Sequence, residues 1–160
     1  MPTTSRTEEV RNEVNALAEA VVVPRSLMQG VCKLLHDRML KYNWVGFYML
    51  ESGAQPPVLV LDAFVGAMTP HTRIPLNQGI CGAAASSGKT VVVDDVSKDP
   101  RYLACSLETK SEIVVPIFVK GQVVGELDID SHFPAAFGVD DQELVQFCAE
   151  IVGKNLEQSK

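Results

Sequence analysis

The chain has 160 residues and a mass of 17.4 kDa; 46% of the residues are hydrophobic, the formal net charge is -6 and the isoelectric point is near 5.0. That length fits one domain with a core of ordinary size, and the acidic balance leaves no basic stripe to neutralise phosphates, so neither nucleic acid nor a membrane surface is an expected partner. No apolar run approaches the roughly 20 residues of a bilayer span, and the opening MPTTSRTEEV lacks the apolar centre of a secretory signal, so the cytoplasm is the expected location.

From Thr7 to Val21, Val10, Val14, Leu17, Ala18 and Val21 recur at helical spacing with Glu8, Glu9, Arg11 and Glu13 opposite them, which predicts an amphipathic helix. Pro24 can open a second helix, with Leu27, Met28, Val31, Cys32, Leu35 and Met39 on one stripe running to about Lys41. WVGFYML and VLVLDAFVG are rich in β-branched and aromatic residues and flank the turn-forming ESGAQPP, so they read as a hairpin. The segment AMTPHTRIPLNQGICG, with its prolines and glycines, predicts an irregular crossing that ends in a helix around Ile80 to Ser87. KTVVVDDV reads as a strand, and SKDPRYLACSLETK as a loop with at most one helical turn. SEIVVPIFV and QVVGELDIDS around a Lys-Gly tip predict a second hairpin. A closing helix begins at VDDQE, where Asp140 and Glu143 can form a capping box, and buries Leu144, Val145, Cys148, Ile151 and Val152. The expected organisation is one unit over residues 1–160: N-terminal helices at 7–41, sheet and pocket at 43–137, and a helix at 140–157. Its class is α+β, an antiparallel sheet with the terminal helices on one face and loops over the other.

In GELDIDS, Glu126, Asp128 and Asp130 alternate with Leu127 and Ile129. On a strand, all three carboxylates share one face. That face is either the wet side of an antiparallel sheet or the floor of a pocket that needs negative charge. The four cysteines show neither a CxxC pair nor zinc-like His spacing. Cys32 and Cys148 fall on helical stripes and read as core thiols. Cys81, near a helix start, and Cys105, in an irregular loop, both fall in the segment that would cover the acidic face, where either setting can favour a thiolate. Arg73 reads as a loop salt bridge rather than a carboxylate anchor, and His71 as an exposed loop histidine rather than a general acid.

Taken in order and at these intervals, NWVGFY, RIPLNQGICG, YLAC, SEIVVP and GELDIDS resemble the free methionine-(R)-sulfoxide reductase family, a single-domain branch of the GAF fold; the similarity spans about Asn43 to Phe137. The resemblance implies that Cys105 is the attacking cysteine and Cys81 a recycling one. It further implies that Glu112, Asp128 and Asp130 hold the substrate, that Trp44 and Tyr48 line the pocket, and that a thioredoxin-like protein supplies electrons. It allows a homodimer through the terminal helices. One departure stands out: the family commonly carries a third cysteine ten residues before the one in GICG, and His71 stands there. Recycling is therefore expected to run through Cys81.

The residue types suit that chemistry. The ammonium of a free amino acid in a dry pocket must meet carboxylate, and a sulfoxide oxygen must be protonated before it leaves sulfur. Crowding raises at least one carboxyl pKa, so one acid can donate to the oxygen while others pair with the ammonium. Thiolate attack then yields methionine and a cysteine sulfenic acid, which condenses with a second thiol to a disulfide. No metal or organic cofactor is required. Two other functions share these features: a GAF module that binds a small molecule without chemistry, and a thiol redox sensor that joins Cys81 to Cys105.

Overall fold

Strand-forming composition and turn chemistry combine into one antiparallel sheet. In the computed structural model, which describes residues 5–51, 53, 55–103 and 107–159, β1 (Trp44–Leu50), β2 (Val58–Val65), β3 (Arg73–Pro75), β4 (Val91–Val93), β5 (Ser111–Val119) and β6 (Gln122–Ser131) lie in the order β3-β2-β1-β6-β5-β4. All five neighbouring pairs are antiparallel. The β5–β6 hairpin turns at Lys120 and Gly121, both at positive φ (52° and 77°), as a tight two-residue turn matched to strand twist requires.

The helices divide between the two faces. α1 (Arg6–Ala20), α2 (Pro24–Arg38) and α4 (Val139–Gln158) cover one. There Val10, Val14, Leu27, Val31 and Leu35 pack with Phe47, Ile113, Leu127, Ile129, Leu144 and Val145 in an apolar core. α3 (Gly79–Ser87) packs on the opposite face against β3, β4, β5 and β6. Its core is smaller and includes Tyr48, Leu59, Ile74, Ile80, Cys81 and Val114. Cys32 and Cys148 lie in the first core, as their helical stripes predict. Burial drives both thiols upward, Cys148 to about 12, and leaves them inert. Among the described residues, no helix is long and apolar enough to cross a membrane.

Three local expectations are corrected. The crossing after Gly66 contains β3, whose three residues are too few to carry a visible period. The second helix stops at Arg38 rather than Lys41, the backbone turning extended at Met39. The last helix starts one residue after Gly138, not at Asp140: the Asp141 carboxylate accepts the Gly138 N–H at 3.1 Å, and Asp140 sits inside the first turn. Between β4 and β5 the described residues form one 3-10 turn, Val96–Lys98.

Candidate active site

The acidic face is buried. β6 pairs with β5 on one side and β1 on the other, which sets three rows across the strands: Glu112–Asp130–Trp44, Val114–Asp128–Gly46 and Pro116–Glu126–Tyr48. Side chains in these rows point away from the apolar helices, because β6 exposes alternate residues to each side. Glu112, Glu126, Asp128 and Asp130 are at most 5% exposed, so the wet-face alternative is excluded.

α3 supplies the roof. Two glycines seat it: Gly79 opens the helix at φ 71°, and Gly82 lies so close to β3 that an added Cβ would stand 2.8 Å from the Leu76 carbonyl oxygen and 3.0 Å from that of Pro75. Between them Cys81 points onto the acids, its Sγ donating to Asp128 Oδ2 at 3.4 Å. The helix-start reading of Cys81 is overturned here. Burial, reinforced by the charges of Asp128, Glu126 and Glu112, pushes its thiol well above the ordinary range, which outweighs any pull from the helix end. Cys81 rests as a thiol.

Burial likewise raises all four carboxyls. Glu112 is pushed further by Asp128 and Asp130, and Asp130 by Asp128, whereas Asp128 is held back because Glu112, Cys81 and Asp130 donate hydrogen bonds to it. The arrangement favours one carboxylate, Asp128, ringed by protonated donors. Apart from protons shared among the carboxyls and the Cys81 thiol, both oxygens of Glu126, Oδ1 of Asp128 and Oδ1 of Asp130 have no hydrogen-bond partner among the described residues. Unmatched polar atoms at this depth are costly, and their concentration at one place marks a site built for something else to complete.

Two cavities flank the cluster. One, of about 20 Å³, is lined by Tyr48, His71, Ile80, Cys81, Glu112 and Asp128 among others. The other, of about 120 Å³, is lined by Trp44, Met68, Thr69, Thr109, Asp130 and His132 among others. Larger hollows exist, such as one of about 380 Å³ beside α4, but that one gathers no buried acid or thiol. Trp44 stacks on Phe64 with centroids 5.8 Å apart and donates from Nε1 to the Ala67 carbonyl at 3.0 Å, so it is a fixed wall. The Tyr48 hydroxyl donates to the His71 carbonyl at 2.7 Å. His71 is half-buried at the cavity edge, not the exposed histidine expected of its loop. Arg73 pairs with Glu51 at the exposed sheet edge, away from the acids. Cys105 lies outside the described residues. The structure thus brings together Cys81, Glu112, Asp128 and Asp130, with Trp44 and Tyr48 as flanking aromatics. It adds Glu126, which the strand alternation already placed on this face, His71, whose position the family pattern had marked but whose loop was read as exposed, and Ile80, which no pattern signalled.

Comparison with known proteins agrees with this architecture. The model of the GAF domain family matches residues 24–156. The free methionine-R-sulfoxide reductase of Escherichia coli is 34% identical over 144 residues, 89% of this chain and 84% of that one. The chain belongs to the free methionine-R-sulfoxide reductase family of GAF domains. Among solved structures, the free methionine-R-sulfoxide reductase of Neisseria meningitidis, described in complex with its substrate, superposes with a TM-score of 0.90 at 33% identity, covering 99% of this chain and 95% of that one. The type II free methionine-R-sulfoxide reductase of Thermoplasma acidophilum gives 0.78 at 41% identity, covering 89% and 96%.

Proposed function

We propose that this member reduces free L-methionine-(R)-S-oxide to L-methionine with thiol electrons. The observation that carries the reading is the buried acid cluster with its unmatched oxygens beside the Cys81 thiol, in a chain this similar to reductases of free methionine sulfoxide. A zwitterion satisfies it. Asp128, the carboxylate best supported by donors, takes the ammonium; Glu112 or Asp130, kept protonated by burial and like charge, offers its proton to the sulfoxide oxygen. Trp44 and Tyr48 bound the space for the apolar end of the ligand, which spans both cavities.

Cys105 is the nucleophile in this reading. Its thiolate attacks the sulfoxide sulfur; with one proton from a carboxyl, the oxygen passes to cysteine, giving methionine and a Cys105 sulfenic acid. The Cys81 thiol then condenses with that sulfenic acid, the S–S bond forming as water leaves with the thiol proton. A thioredoxin-like dithiol returns both cysteines to thiols. The high pKa of Cys81 suits a group that waits for an oxidised partner, and it argues against a sensor in which Cys81 meets peroxide first.

The tests are turnover of free methionine-R-sulfoxide with dithiothreitol and, on pre-reduced protein freed of dithiothreitol, peptide mass spectrometry after one cycle. Wild type should consume substrate and show a Cys81–Cys105 disulfide, and Cys105→Ser should be inactive. Equal consumption by Cys105→Ser, or a first-cycle disulfide to Cys32 or Cys148, contradicts the assignment.

A further inference from the structure

The acid cluster holds a second chemical possibility that involves no substrate. One ligand atom each from Cys81, Glu112 and Asp128 lie within 4.8 Å of one another. A tetrahedral zinc ion with Zn–S near 2.3 Å and Zn–O near 2.0 Å sets its sulfur and oxygen about 3.5 Å apart. The Cys81 Sγ to Asp128 Oδ2 distance is 3.4 Å. The independent sign is Glu126: fully buried on the same face beside Asp128, it has the Cys81 thiol as its one polar neighbour within reach and otherwise no hydrogen-bond partner among the described residues. Asp128 Oδ1 is unmatched as well. No lysine or arginine among the described residues lines either cavity, so the lone pairs converge where no fixed side-chain ammonium or guanidinium answers them.

We propose that Cys81, Glu112 and Asp128, with water in the fourth position, bind one borderline-soft divalent cation of the zinc type in the reduced protein. The donor set decides the class. A thiolate disfavours magnesium and calcium, which want oxygen alone, while two carboxylates make the site too hard for copper(I). Binding displaces the thiol proton and carboxyl protons, so the cation replaces protons as the cluster's counter-charge and affinity rises with pH. The linear sequence hides the site because its ligands come from α3, β5 and β6 rather than from one short motif. Binding itself does not rest on the reductase reading. Its consequence does: a cation here occupies the ammonium position and withholds the recycling thiol, so zinc inhibits competitively and formation of the Cys81 disulfide expels it.

The experiment titrates the reduced, metal-free full chain with Co²⁺ alone and follows the thiolate-to-cobalt charge-transfer absorption, which reads a Co–S bond without any turnover. The expected result is one Co²⁺ per chain with that absorption, displaced by Zn²⁺. The absorption should persist in Cys32→Ser, Cys148→Ser and Cys105→Ser and vanish in Cys81→Ser, and Glu112→Gln should bind at least about tenfold more weakly. The wild-type spectrum needs no variant to fold. No saturable binding, a bound cobalt without the sulfur absorption, or an absorption that follows Cys105 instead of Cys81 overturns the site. Reductase activity of the metal-free protein is untouched by any of these outcomes, so the two proposals fail separately.

Discussion

The two faces of β6 are buried to the same degree and do opposite things. Leu127 and Ile129 are fully buried in the apolar core that α1, α2 and α4 share with the sheet, while Glu126, Asp128 and Asp130, one residue away in each case, are equally dry among groups that want protons or a cation. Burial of the first set stabilises the fold by roughly 1.5–3 kcal/mol per large side chain. Burial of the second opposes folding, a cost that the proposed recognition of an ammonium would explain. The buried thiols repeat the contrast: Cys32 donates to a backbone carbonyl at 3.6 Å in an apolar core, whereas Cys81 faces a carboxylate.

Adjacent substitutions should therefore have opposite signatures. Asp128→Asn should lower kcat/KM for free methionine sulfoxide at least about a hundredfold, since removing one partner of a desolvated charge pair costs about 3–5 kcal/mol, yet raise the unfolding midpoint at pH 7. Leu127→Ala should cost about 2–5 kcal/mol of stability with kcat/KM per folded molecule little changed. Urea unfolding and steady-state kinetics on both variants check this; parallel losses in the two would erase the distinction between faces.

Next in size is the seat of α3. Gly82→Ala drives a Cβ against two backbone carbonyls, which should cost about 1–3 kcal/mol and lower the yield of the Cys81 disulfide after one turnover. Mass spectrometry with an unfolding curve reads both effects, and an unchanged yield would mean that α3 does not position the thiol.

The smallest expected effect concerns Glu126. Its folded-state pKa is raised, chiefly by burial. Below the unfolded value near 4.3, both states hold the proton and the residue's favourable contribution is complete. As pH rises towards the folded pKa, the unfolded chain ionises first and stability is lost. Glu126→Gln should thus be near neutral at pH 4 and become stabilising as pH rises towards 7. A gain that does not grow with pH would show that Glu126 ionises as freely in the folded protein as in water.

Most of this frame is legible in the chain. WVGFYML, SEIVVPIFV and QVVGELDIDS are the strands β1, β5 and β6 residue for residue, because β-branched runs end at clear turns. The two-fold period also put three acids on one face. It could not say that the face was covered. Burial depends on α3 approaching within contact of β3, a distance set by the missing side chain of Gly82 rather than by any pattern. The same limit hid the burial of His71 and misplaced the start of α4, where three acids in VDDQE can cap a helix and only tertiary contacts, such as the 2.6 Å hydrogen bond from the Tyr42 hydroxyl to Asp141, select the register.

The claim beneath all of this is that the dry carboxylates recognise the ammonium of a free amino acid. The most direct measurement compares kcat/KM for free methionine-R-sulfoxide and for its N-acetyl derivative, which keeps the sulfoxide and lacks the cation. The account predicts that acetylation lowers kcat/KM by about 10⁴ or more, as when buried polar groups are left unpaired; equal values for the two would contradict it.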